Sequence, residues 1–261
     1  MHSLGLTAGL VVAAASTATW AFQPLITDDT GTQGQGGNQV EFAFNRDRAD
    51  QAGIANTTHV LPFTYTRGLS DALDVFVSVN HTRLGSSFAS ADASGSGNPS
   101  VGLKWRFYEN EASKTSFGIK PELLLPLSES REAAGLGSGR SSYALTAILT
   151  QETAFGAVHA NLAAGRTRYR DTLANPDAST IRASITPVWE VSEQWKLALD
   201  VGNETERAGG NKTRAYFLEI GAIFSPSKDL DFALGLIRRS DRTTPSTTTN
   251  AVTAGVTWRF K

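Results

Sequence analysis

From Asn38 onward, apolar side chains fall on every second position in runs of about ten residues, the length and period of a strand that crosses a lipid bilayer. Val40, Phe42 and Phe44 share one face of the first run, and Leu73, Val75, Val77 and Val79 one face of the third. Trp195, Leu197, Leu199 and Val201 mark the ninth, and Val252, Ala254, Val256, Trp258 and Phe260 the last. Read to the end, the pattern gives about twelve strands. Their connections alternate: short ones fall at 68–71, 109–113, 153–156, 192–194 and 225–229, long ones at 46–56, 83–97, 128–139, 168–177, 207–211 and 240–249. A barrel in an outer membrane shows lipid one strand face and its lumen the other, and its turns differ by side. The fold expected is therefore all-β: a transmembrane antiparallel up-and-down β-barrel of about twelve strands with both termini periplasmic. The competing reading is a soluble barrel or sandwich with its apolar face inward.

Aromatic positions form a second pattern. Trp105, Trp189, Trp195, Trp258 and Phe260 lie on the apolar face near short-turn ends, while Phe44, Tyr143 and Tyr216 lie near long-loop ends. Two aromatic girdles with an aliphatic waist suit a membrane interface, where a ring is apolar and its N–H or O–H is wet. Pro62, Pro121 and Pro187 interrupt strands and call for a bulge or local opening, because each removes a ladder donor. The alternate face is ionisable in both signs. Lys104, Arg106, Lys120, Glu122, His159, Arg182 and Glu190 are candidate lumen-wall contacts for a solute. Buried charges must be paired or wet, so these groups are expected to form cross-lumen networks.

The 261-residue chain has formal net charge −1, so nothing in it points to nucleic acid as a partner, and it has no cysteine. Disulfides, thiol chemistry and cysteine zinc sites are thereby excluded. Residues 1–21 read as a secretory signal peptide: the apolar run Leu4–Ala18 is too short to span about 30 Å of bilayer, and Thr19-Trp20-Ala21 fits a small-x-small cleavage site. Residues 22–37 are too Gly-rich for a strand or helix. They either hang in the periplasm or fold into the barrel mouth as a plug, with Asp28 and Asp29 paired to lumenal Arg or Lys; the plug is preferred. The barrel itself is assigned to 38–261.

No GxSxG, HExxH, phosphate-loop or EF-hand pattern occurs, and no catalytic residue, metal site or cofactor is expected. The partners expected are outer-membrane lipid, a small-molecule solute and, through the C-terminal strand, the barrel-assembly machinery. Two other functions stay open. One is a structural or adhesive barrel without transport. The other is an outer-membrane lipid hydrolase, which would need His159 beside Ser142 or Ser184 with a third group orienting the imidazole.

Several strings are recognisable in order: PLITDDTGTQGQGGNQVEF, GLSDALDVFVSVN, VGLKWRFYE, IKPELLLP, GLGSGRSSYALT and TQETAFGAVHANLA. They resemble the outer-membrane transporter family of the phenol-degradation meta pathway over Pro24 to Phe260. The chain is also distantly similar to fatty-acid and toluene channels, which use an N-terminal plug. The resemblance implies an outer-membrane channel for passive uptake of small hydrophobic or aromatic compounds. One departure is that Lys261 follows the terminal aromatic Phe260.

Overall fold

The structure, a computed structural model, describes residues 24–87 and 92–261. The signal-peptide expectation for 1–21 lies outside the described residues. In chain order the strands are β1 (Asn38–Gln51), β2 (Ile54–Ser70), β3 (Leu73–Ser86), β4 (Ala93–Ser96), β5 (Ser100–Asn110) and β6 (Thr115–Leu124). A short helix α1 (Glu129–Ala133) follows. Then come β7 (Ser142–Thr153), β8 (Gly156–Thr167), β9 (Ala178–Glu190), β10 (Trp195–Ala208), β11 (Asn211–Ser227), β12 (Leu230–Asp241) and β13 (Thr247–Phe260). Of these thirteen, β4 pairs only with the far end of β3; the other twelve pair in sequence, and β1 closes on β13. The result is one closed antiparallel barrel without an edge.

Alternation decides which way each side chain looks. On β11, Leu218 and Ile220 point out, 45% and 59% exposed, while Glu219 between them points in and is fully buried. The same contrast separates Leu197 from Ala198 on β10 and Leu145 from Thr146 on β7. Asp74, Lys120, Asp200 and Arg182 are all buried inside. A soluble barrel would do the opposite, so the inward-facing apolar alternative fails. The greasy exterior is covered by no protein layer and suits acyl chains.

The two rims differ. Asn38 and Phe260 pair with each other, so both ends of the barrel meet at the short-turn rim. Trp105, Trp189, Trp195, Trp258 and Phe260 are exposed on the outer surface toward that rim, with Trp258 and Phe260 in ring contact at 4.7 Å.

Two expected long loops are not loops. β1 runs on to Gln51 and β2 starts at Ile54, leaving the two-residue turn Ala52-Gly53; β10 and β11 are joined by Gly209-Gly210. Both turns have positive φ at both positions (52° and 83°; 55° and 82°), the requirement of the hairpin turn whose twist matches its strands. The 128–139 segment holds α1, and 83–97 holds β4, elements the strand pattern did not announce.

The prolines behave as their chemistry requires. Pro62 keeps its place opposite Asn80 of β3, but the β1–β2 ladder is interrupted between Phe42↔Phe63 and Asn45↔Val60. Pro121 faces Leu145 on one side, and the β5–β6 ladder is interrupted between Gly102↔Glu122 and Trp105↔Ile119 on the other. Pro187 faces Val158, with the interruption on the β10 side. Each missing N–H thus opens one ladder and leaves the other intact.

Candidate functional site in the barrel lumen

Residues 24–37 enter from the short-turn rim and run up inside the ring. At the rim the backbone is stitched to β2: the Gly36 N–H donates to the Gly68 carbonyl at 3.0 Å, and the Gly68 N–H to the Gly37 carbonyl at 2.9 Å. The Gln35 N–H reaches the Asp71 carboxylate at 3.0 Å, and the Gln33 N–H the Asp74 carboxylate at 3.1 Å. Midway, the Thr30 hydroxyl meets that of Ser116 at 2.6 Å, and the Thr30 N–H donates to Thr150 Oγ1 at 3.1 Å.

Asp28 is the centre of the arrangement. Its carboxylate lies 2.8 Å from Lys104 Nζ and 2.9 Å from Lys120 Nζ, and Asp29 adds a contact to Lys104 at 3.3 Å. The cationic partners are thus lysines, from neighbouring strands β5 and β6. From β8, two strands further round the ring, Asn161 holds the backbone of the same residue, donating to the Asp28 carbonyl (2.8 Å) and accepting from its N–H (2.9 Å). Asp28 belongs to the segment, not to a strand. Burial works to raise the pKa of its carboxyl, but the two ammoniums outweigh it and hold the group at about 2. It is ionised throughout the physiological range.

The tip is fixed by Asp200 of β10. Its carboxylate accepts from the Ile26 N–H (3.0 Å) and the Thr27 N–H (2.7 Å), and the Thr27 hydroxyl lies 2.7 Å from both Asp200 and Ser184. Pro24 and Leu25 rest on bare wall. Leu25 packs against Val188 and Ala198, and a Cβ on Gly221 would come within 2.9 Å of Leu25 Cδ2 and 3.1 Å of Pro24 Cγ. Glycine is needed there because the segment comes this close.

The wall is not uniformly charged. Phe76, Ile148, Val188, Phe217 and Ile223 also point inward and are buried. Phe76 lies opposite Gly102, and Phe217 opposite Gly202, each ring occupying the space its glycine partner leaves.

Of the wall residues expected from sequence, Lys104 and Lys120 are brought together with Asp28 and Asp29. His159 is nearby, its Nδ1 at 3.0 Å from the Thr150 hydroxyl that also receives Thr30. Glu122 stands two residues beyond Lys120 with one buried oxygen unpartnered. Arg182 belongs to a second cluster nearer the long-loop end, 3.9 Å from Glu204, which Arg239 also contacts at 2.7 Å. Arg106 and Glu190 share the inward parity but stand at the short-turn rim, bound to Glu109 and Lys196 respectively. They do not reach the mid-lumen cluster. Asp200, Asn161 and Ser116 were not singled out, since alternation marks them only as inward.

The hydrolase constellation does not assemble. Ser184 is engaged with Thr27, and Ser142 lies 3.1 Å from the Ser138 hydroxyl at the long-loop end, so neither serves His159. Among the described residues no three or more His, Cys, Asp or Glu side chains are grouped to hold a metal ion.

An apolar exterior, a polar lumen and full closure define the chain as an outer-membrane β-barrel. More particularly, it belongs to the family described as "Putative MetA-pathway of phenol degradation", whose model matches residues 17–260. Its fold is similar to that of an outer membrane channel from Pseudomonas putida F1, with 15% identity, TM-score 0.73, and coverage of 89% of this chain and 98% of that one. It is also similar to the monoaromatic hydrocarbon channel CymD, with 11% identity, TM-score 0.50, and coverage of 87% of this chain and 90% of that one. The KdgM porin gives 10% identity, TM-score 0.51, and coverage of 85% and 99%. No curated protein matches the chain.

Proposed function

We propose that the protein is a passive, non-catalytic uptake channel for small hydrophobic or aromatic compounds, with residues 24–37 acting as a plug in its lumen. The carrying observation is that the mid-lumen is filled by the chain itself: Leu25, Thr27, Asp28 and Thr30 are each at most 2% exposed. A barrel so filled is ill suited to bulk flow of hydrophilic solutes. Inward Phe76, Phe217, Val188 and Ile223 supply apolar wall among the charges, which favours a solute with a ring or alkyl body and a small polar end. Membership of the phenol-degradation family and the likeness in fold to a monoaromatic hydrocarbon channel point the same way.

Uptake of labelled phenolics, alkylbenzenes and fatty acids by cells with and without the protein, beside a panel of sugars and amino acids, tests the substrate class. Selective uptake of the first group is expected; equal uptake of both would reject it. Deletion of 25–36 tests the plug separately. Single-channel conductance in planar bilayers should rise, and an unchanged conductance would remove the plugging role.

A further inference from the structure

The outer wall carries a basic groove that lumen transport does not use. On β1, Arg46 and Arg48 point outward and are exposed, as do Arg238 of β12 and Asn250 of β13. The register puts Arg48, Asn250, Arg238 and Leu218 side by side across four strands. One row closer to the waist run Arg46, Val252, Leu236 and Ile220. Together these side chains line a shallow groove of about 470 Å³. The guanidiniums thus stand at the level where the aliphatic waist ends, with an apolar floor immediately below them.

None of the three arginines has a carboxylate partner: the ion pairs among the described residues lie elsewhere. The one acid on this face of β1 is Asp50, a further row toward the loop tip. Arg46 and Arg48 are about 7 Å apart along their strand, and Arg238 is two strands, roughly 10 Å, from β1. Uncompensated guanidiniums at that spacing match an anion with several oxygens, which they bind in bidentate fashion. Leu236, Val252 and Ile220 match an acyl chain.

We propose that this groove binds a phosphorylated glycolipid of the outer leaflet, its phosphates on Arg46, Arg48 and Arg238 and one acyl chain along Leu236, Val252 and Ile220. The groove lies on the long-connection half of the barrel, which proteins of this class turn outward. A phosphoglycolipid combines both halves of the required chemistry, anionic head and alkyl tail. A free phosphate would use only the upper row.

The test uses the purified mature chain in detergent, stripped of lipid and incubated with lipid A, with bound lipid counted by native mass spectrometry. Wild type should retain lipid A, retain its dephosphorylated form poorly, and release little to millimolar inorganic phosphate. R46Q/R48Q/R238Q should weaken retention about tenfold, the loss of several charge-assisted contacts. K114Q/K228Q/K261Q, which removes the same charge at the opposite rim, should leave it unchanged. Heat-modifiable migration on gels reports folding, and R48Q alone, with a smaller loss in the same direction, replaces the triple variant if that one does not fold. Wild-type retention by the arginine variants would overturn the proposal. So would equal loss in both triple variants, which signifies bulk charge alone, or displacement by inorganic phosphate as effective as by lipid A.

Discussion

Replacing Asp28 by Asn removes one charge and little volume from the point where three strands grip the N-terminal segment. Its carboxylate makes two short ion pairs, to Lys104 and Lys120, and the fall of its pKa from the ordinary 3.8 to about 2 corresponds to roughly 2 kcal/mol of docking. Breaking a buried pair by removing one partner typically costs about 3–5 kcal/mol. The smaller figure applies here, because Lys104 keeps Asp29 at 3.3 Å and Asn161 still holds the Asp28 backbone. A loss of about 2 kcal/mol shifts the docked-to-released ratio about 30-fold. In planar bilayers, Asp28→Asn should therefore raise the ratio of time spent in a high-conductance level to time in the low one by that factor. Lys120→Met should act in the same direction, and the double variant by less than the sum, because the two side chains share one interaction. If Asp28→Asn leaves the dwell ratio within threefold of wild type, the ion pairs do not hold the segment and the reasoning is refuted.

Because this carboxyl is more acidic docked than free, its contribution is present above about pH 4 and disappears only as pH falls through about 2. Dwell ratios measured from pH 5 to 8 should accordingly show no step attributable to Asp28. Leu25→Ala strips the apolar contact with Val188 and Ala198, a loss of about 2–3 kcal/mol, and should make the segment cleavable by added protease in the purified barrel. Gly221→Val puts a side chain where Leu25 and Pro24 lie, costs about 1–3 kcal/mol, and should favour the high-conductance level as deletion does. His159→Ala sacrifices one hydrogen bond to Thr150, worth about 1 kcal/mol, and solute uptake should stay within twofold of wild type. A lipase activity that vanished with that substitution would restore the hydrolase reading.

The strands were legible because lipid imposes a rule that water does not. Leu197, Leu199 and Val201 must face acyl chains while Lys196, Ala198 and Asp200 face inward, so β10 announces itself residue by residue. Beyond the waist, water wets both faces and the rule lapses, although the hydrogen-bond ladder continues. Arg46–Gln51, Arg207 and Ala208 look like loop on this criterion and are strand in fact. Helix α1, five residues long, is too short to show a period.

The site was less legible. The text of 22–37 suited two placements, and Asp28 and Asp29 said only that cations would be wanted. Which cations depended on closure of the ring, since Lys104 and Lys120 are 75 or more residues away in sequence. Alternation reports the face of a side chain and not its depth. That is why Arg106 and Glu190 shared the parity of Lys104 and Arg182 yet stand at the rim, while Asp200 passed as one inward acid among many.

The internal segment touches walls that face each other: β2 and β3 near the bottom, β5 and β6 through the lysines, β8 through Asn161, and β9 and β10 at the tip. It therefore works as a strut. A hollow tube of hydrogen-bonded strands resists stretching far better than squashing, and a rod pinned across its bore opposes collapse into an ellipse. Cutting that rod free should leave a barrel that still closes but ovalises more readily under the lateral pressure of the bilayer, and that loses its compact form at a lower temperature.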